Sequence, residues 1–349
     1  MLITKGRRAV AAIAAVALLA TAGCGDDKDD KPTAAGPTTV TYLPGFGIIG
    51  QDAYIYVAIE KGYFADAGLE VKVQPGAGTD KNLQVLLADQ ATFATVDMAG
   101  AVIAYSRAIE KGQQDQAAFK IISSVYQRSV SSITTLEGRG ISGPKDLAGK
   151  TIGYQPGGVN FTLFPAYAQL AGLDAKTIKW QQAPPPQLRP LLASGQLDAI
   201  TETVIGTPGV EAAAKGKKAK VLPYSDVLTD LYGNVIVATD KTIKEKPELV
   251  RAFREAALRG LVYAIEHPDE AGQIFNKHQN AYKAEVAAAE TRLMTEYVRA
   301  DGSDQVGALD SARVARTLAL LQSLKQVQPG IKPEDVVDFS IATPYTPTT

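Results

Sequence analysis

A half-repeat constrains this chain more than any single motif. Thr39-Val40-Thr41-Tyr42-Leu43-Pro44-Gly45 is matched by Thr151-Ile152-Gly153-Tyr154-Gln155-Pro156-Gly157, at an offset of 112. Ala67-Gly68-Leu69-Glu70 is matched by Ala171-Gly172-Leu173-Asp174 at an offset of 104, and Leu83-x-x-Leu86-Leu87-Ala88 by Leu188-x-x-Leu191-Leu192-Ala193 at 105. At that last offset Ala94 meets Ala199 and Asp97 meets Glu202. The pieces keep their order, as a duplicated supersecondary unit requires.

Each copy reads as βαβαβ. The first has strands at 39–43, 69–74 and 91–96, with helices at 52–66 and 80–89. The second has strands at 151–155, 176–181 and 197–201, with helices at 161–171 and 187–194. Gly68 and Gly172 fall where a helix end favours positive φ. Alternating strands and helices with right-handed crossovers predict an α/β fold of two parallel-sheet lobes. The strand NVIVAT at 234–239 and apolar 3.6-residue periods at 247–266, 268–278, 283–299 and 310–325 follow the second copy. Two chain crossings near 128–136 and 223–235 then join the lobes as a hinge, with the C-terminal helices packed on the first lobe.

In an open α/β sheet, ligands bind beyond the carboxyl ends of the strands. Both copies place their distinctive residues there. The first supplies Phe46, Gly76, Asp97 and Met98; the second supplies Gln155, Gly157, Gly158, Asn160 and Glu202. Asp97 and Glu202 serve either as helix caps or as cleft carboxylates. Tyr126 and Tyr232 serve either as core residues or as stacking partners. Arg128 and Arg189 matter if the ligand is an anion. Gly76-Ala77-Gly78-Thr79-Asp80-Lys81 lacks the GxxxxGK[ST] spacing of a phosphate-binding loop.

The N-terminus is a different kind of sequence. Lys5, Arg7 and Arg8 precede an uncharged apolar run from Ala9 to Ala22, which ends at Gly23-Cys24. This is the pattern of an export signal, and the run is shorter than the ~20 residues of a membrane-spanning helix. Thr21-Ala22-Gly23-Cys24 resembles a bacterial lipobox, with Thr21 in the place usually held by Leu. The expectation is a signal peptide at 1–24, lipidation of Cys24, and a flexible polar tether at 25–38. Arg7-Arg8 also leaves a twin-arginine route open. Lobe one is expected to comprise 39–132 and 228–345, and lobe two 133–227.

Composition removes several function classes. The 36 basic residues are balanced by 37 acidic ones, and removing 1–24 takes away three basic residues and no acidic ones. That charge is the opposite of a nucleic-acid footprint. Cys24 is the only cysteine, so no intrachain disulfide and no cysteine zinc site is available. The two histidines, His267 and His278, fall in the C-terminal helices away from the strand ends. There is no GxSxG, HExxH or GxGxxG. No catalytic residue, metal or cofactor is expected, and the body is expected to be a monomer.

Several longer segments carry a family resemblance. They are Ala58-Ile59-Glu60-Lys61-Gly62-Tyr63-Phe64 with Ala67-Gly68-Leu69-Glu70-Val71, then residues 140–153 (GISGPKDLAGKTIG), then Gly195-Gln196-Leu197-Asp198-Ala199, and last Pro247 to Phe253 continuing to Ala264–Ala271. Together they resemble the solute-binding proteins of ABC importers, in the class that includes binders of thiamine pyrimidine precursors, nitrate, sulfonates and taurine. The resemblance implies a bilobed, type II periplasmic-binding-protein-like fold that closes on a small ligand. It also implies delivery to a permease and its ATPase outside the cytoplasm, from a lipid anchor at Cys24. Leu231-Tyr232-Gly233-Asn234 and the acidic cleft suit a polar heteroaromatic ligand, like a thiamine precursor or riboflavin, and add Asn234 to the candidate site. A sulfonate, taurine or nitrate ligand is the alternative within the class. Outside the class stand an exported enzyme using Asp97 or Glu202 as acid or base, and a ligand-sensing partner of a membrane receptor. The eukaryotic relatives that make the thiamine pyrimidine carry a cysteine-rich motif, which this chain lacks.

Overall fold

A computed structural model of the chain describes residues 36–299 and 305–345. The expected signal peptide, Cys24 and nearly all of the tether lie outside the described residues.

The first copy runs β1 (Thr38–Leu43), β2 (Phe46–Gly47), α1 (Ala53–Glu60), α2 (Tyr63–Asp66), β3 (Leu69–Val73), β4 (Gly76–Ala77), α3 (Thr79–Leu87) and β5 (Phe93–Asp97), followed by α4 (Met98–Glu110) and β6 (Phe119–Ser124). The chain then enters a second layer: β7 (Ser131–Leu136), β8 (Thr151–Tyr154), α5 (Val159–Leu170), β9 (Lys179–Gln182), α6 (Pro185–Ser194), β10 (Ala199–Thr203), α7 (Thr207–Ala213) and β11 (Ala219–Pro223). It returns through β12 (Asn234–Thr239) to α8 (Asp240–Glu245), α9 (Pro247–Glu266), α10 (Pro268–His278), α11 (Ala284–Val298), α12 (Ser311–Ser323) and α13 (Pro333–Val336).

The strand orders are β3-β1-β5-β12-β6 in lobe one and β11-β7-β10-β8-β9 in lobe two. The first sheet and the second, read from opposite ends, share one topology, which is the duplication made visible. The sheets are mixed, where the repeat alone predicted parallel ones. β1 pairs in parallel with β3 and β5, and β8 with β9 and β10. β12 is antiparallel to β5 and β6, and β7 to β10 and β11. The reason is the entry point. β12 begins with Asn234 opposite Asp97, the last residue of β5, and β7 begins with Ser131 opposite Thr203, the last residue of β10. A strand that enters a sheet at the carboxyl edge of its neighbours must run against them.

The segments between the sheets, 125–130 and 224–233, therefore lie at that same edge. They are bonded to each other and to β12: the Val125 and Tyr126 amides donate to Asn234 O, and the Gly233 amide donates to Tyr126 O at 3.1 Å.

The lobe-one core is built on α9. Pro247 opens it, and Val250, Phe253, Ala257, Leu261 and Ile265 fall on its buried face at helical spacing. Phe253 stacks on Phe93 at 4.0 Å between centroids and lies against Phe64 and Tyr42. Helices α9 and α10 pack on α1, as expected of the C-terminal region. Helix α11 does more than expected and also touches α7 of lobe two. No helix among the described residues is long and apolar enough to cross a membrane.

Candidate functional site

Between the two carboxyl edges lies about 620 Å³ of empty space, part of it open to solvent. Lobe one contributes Gly45 and Phe46 after β1, Gln51 before α1, Gly78 and Thr79 at the start of α3, Asp97 at the end of β5 and Asn234 at the start of β12. The crossing contributes Val130 and, at the start of β7, Ser131; lobe two contributes Gln155 and Gly158 to Asn160 around the start of α5, and Thr201 to Thr203 at the end of β10.

Asp97 fills both roles open to it. Its Oδ1 accepts from the Gly100 amide at 3.1 Å, capping α4, while the residue lines the cavity at 5% exposure. Burial pushes its carboxyl up to about 7, against the pull of the Gly100 and Ala99 amides. Glu202 is held from two sides. Oε1 accepts from the Thr203 amide at 2.9 Å, and Oε2 pairs with Arg189 Nε at 2.8 Å. Asn160 is fixed by donating to Glu202 O at 2.6 Å and accepting from Ser131 Oγ at 2.9 Å. Gln155 donates its Nε2 to Ala77 O at 2.9 Å, which leaves its Oε1 buried without a partner among the described residues. Gln51 Oε1, on a residue 2% exposed, is likewise unpartnered. A buried acceptor without a donor costs about 1–3 kcal/mol, so these two oxygens favour a guest that carries N–H or O–H groups.

Seven sequence-predicted residues line the space: Phe46, Asp97, Gln155, Gly158, Asn160, Glu202 and Asn234. The other five lie off it. Met98 is fully buried in the apolar core beneath α4. Tyr126 and Tyr232 are core residues of the crossings; Tyr232 OH accepts from the Asp310 amide, and Arg313 covers its ring at 4.1 Å. Gly76 faces lobe one, where a Cβ would stand 1.7 Å from Pro44 O. Gly157 turns outward to a groove shared with Asp80, Arg107 and Trp180. Phe46 is thus the one aromatic that lines the cavity among the described residues. Sequence reasoning did not name Gln51, Thr79, Ser131 or Thr201 as site residues. The strand-end rule reaches Thr79 and Thr201, but Gln51 and Ser131 become visible only once the crossings are placed.

Among the described residues, no lysine, arginine or histidine lines the cavity. Arg189 is occupied by Glu202, and Arg128 donates to Glu296 O and lies over the Tyr297 ring. His278 pairs with Glu60 far from the strand ends. No cluster of three or more metal-ligating side chains occurs among the described residues.

Comparisons with known proteins agree with this architecture. A formylaminopyrimidine-binding protein of Halalkalibacterium halodurans is 23% identical over 277 residues, covering 79% of this chain and 80% of that protein. The riboflavin-binding protein RibY of Chloroflexus aurantiacus is 30% identical over 237 residues, covering 66% of this chain and 63% of that protein. The solved alkanesulfonate-binding protein SsuA of Xanthomonas axonopodis pv. citri, bound to MOPS, superimposes with a TM-score of 0.67 at 14% identity, covering 87% of this chain and 99% of that one. That likeness shows the two-lobed periplasmic-binding-protein fold. The family model described as NMT1/THI5 like matches residues 50–271, well over half of the sequence. The chain belongs to the NMT1/THI5-like family.

Proposed function

We propose that this protein is the extracytoplasmic solute-binding component of an ABC importer, and that it captures a small polar heteroaromatic ligand between its lobes. The observation that carries the ligand class is the cavity wall: an Asp97 carboxyl with no facing cation, and the unpartnered oxygens of Gln51 and Gln155. Amino and ring N–H groups satisfy such a wall, and Phe46 offers a face for stacking. The relatives named for formylaminopyrimidine and riboflavin bind rings of this kind. Contacts to both lobes are complete only when the lobes are together, so the ligand stabilises that state, which the permease then receives. Lipidation at Cys24 holds the body at the membrane surface.

A second reading, a sulfonate or nitrate binder, draws on the first turns of α3 and α5, whose free N–H groups border the cavity. The carboxylates of Asp97 and Glu202 stand against it. A thermal-shift screen separates the two. Formylaminopyrimidine or riboflavin is expected to raise the melting temperature by mass action, with the compound recovered unchanged. A shift confined to alkanesulfonates or nitrate overturns the ligand class, and conversion of the compound overturns the binder.

A further inference from the structure

Behind Glu202, on the side away from the cavity, a partly buried charge cluster spans the lobes. Arg189 of α6 pairs with Glu202 through Nε and reaches Glu290 Oε1 on α11 at 3.8 Å through Nη1. Its Nη1 also donates to Tyr282 Oη at 3.5 Å, and Tyr282 in turn donates to Glu290 Oε1 at 2.5 Å. Glu290 and Tyr282 belong to lobe one; Arg189 and Glu202 belong to lobe two. Glu290 is fully buried, and its Oε2 lies against the backbone of Gly50. The approach is tight: a Cβ on Gly209 of α7 would stand 2.0 Å from Arg189 Nη1. Beside the cluster, Ile205 of lobe two is fully buried in the lobe-one core with Ala287 of α11.

We propose that Glu290 is a closure latch: a positioning residue on lobe one that grips Arg189 of lobe two and so couples the ligand-wall carboxylate Glu202 to the joining of the lobes. The argument is one of pairing. A buried carboxylate is tolerated when a cation faces it. The acidic side chain of Asp52 also lies near Glu290, and the cation that faces Glu290 comes from the other lobe. When the lobes part, Arg189 keeps Glu202, whereas Glu290 exchanges its partner for water. The Arg189–Glu290 contact therefore belongs to the closed state alone, which is the condition for shifting that equilibrium.

The latch rests on the two-lobe binding function proposed above, and the experiment keeps the two apart. Ligand-free scattering gives the radius of gyration. Stopped-flow fluorescence of Trp180, the single tryptophan, gives association and dissociation rates for formylaminopyrimidine. Glu290→Gln is expected to enlarge the ligand-free radius and speed dissociation about tenfold with little change in association. Equal radii and dissociation rates within about twofold of the parent overturn the latch. If Glu290→Gln fails to fold, Tyr282→Phe removes the hydroxyl that bridges Arg189 of lobe two to Glu290 of lobe one. A dissociation rate raised about two- to threefold supports the latch, and an unchanged rate and radius overturn it. Failure of the parent protein to bind either formylaminopyrimidine or riboflavin overturns the functional reading instead, and the ligand-free radii still decide the latch.

Discussion

The side-chain amide of Gln155 donates to the main-chain carbonyl of Ala77 at 2.9 Å, joining the loop after β8 to the loop before α3 across the gap between the lobes. Next to this bond the two backbones nearly touch. Gly78, at φ 92°, would put a Cβ 3.1 Å from Gly157 O. A glycine carries the left-handed conformation and the close approach together. The cavity is therefore walled on this side by main chain, with Gly158 facing in and Gly157 facing out.

Replacing Gln155 by Ala removes the Ala77 bond and one ligand-facing oxygen. Affinity for the ligand is expected to fall about five- to tenfold, the worth of roughly one net hydrogen bond. The melting temperature of the free protein is expected to move by no more than a few degrees. Calorimetric titration checks it, and an unchanged dissociation constant removes Gln155 from the binding contact.

Asp97 sets a pH dependence. Its carboxyl is raised by burial to about 7. A ligand that donates amino hydrogens needs the ionised form, so affinity is expected to strengthen about tenfold from pH 6 to pH 8. Titrations across that range on the parent and on Asp97→Asn check this. The variant is expected to bind more weakly and to show a flat profile.

Stability of the free protein moves the other way. Burial raises Asp97 and Glu290 to about 7 and Asp52 to about 8. A carboxyl with a raised folded pKa binds its proton more tightly when folded. Its contribution is full below the ordinary carboxylate range and is lost as pH rises through the folded value. The melting temperature is expected to fall between pH 6 and pH 9, as scanning calorimetry can measure. A rise over that interval contradicts the burial of these three groups.

Asn82 fastens the lobe-one rim. Its Nδ2 donates to Pro44 O at 2.8 Å and to Thr95 O at 3.0 Å, and its Oδ1 accepts from the Ala77 amide at 2.9 Å. Asn82→Ala leaves buried backbone groups unpaired and is expected to cost about 2–4 kcal/mol. Chemical denaturation reads that loss, and a loss below about 1 kcal/mol shows that these loops find other partners.

Much of the fold was legible in order along the chain. Helix α9 runs from Pro247 to Glu266 as its opening proline and 3.6-residue period predict, because both signals act within a few residues. The duplicated strands follow from the repeated segments in the same local way. Asp97 and Glu202 were legible as strand-end residues because the repeat aligns them.

The sense of the crossing strands was not legible. β7 and β12 are antiparallel because of where each enters a sheet built by distant residues. Nor could the sequence show which way Tyr126 and Tyr232 face, since an aromatic in a crossing suits a core and a cleft equally well.

The repeated pattern of strand, helix and turn determined by itself that two similar α/β lobes form, because hydrophobic period and turn chemistry are local. Tertiary structure alone decided the electrostatics of the space between them. Arg189 meets Glu202 and Glu290 only after two crossings have brought α6, β10 and α11 together, so its charge is spent outside the cavity and the acceptors are left to face the guest.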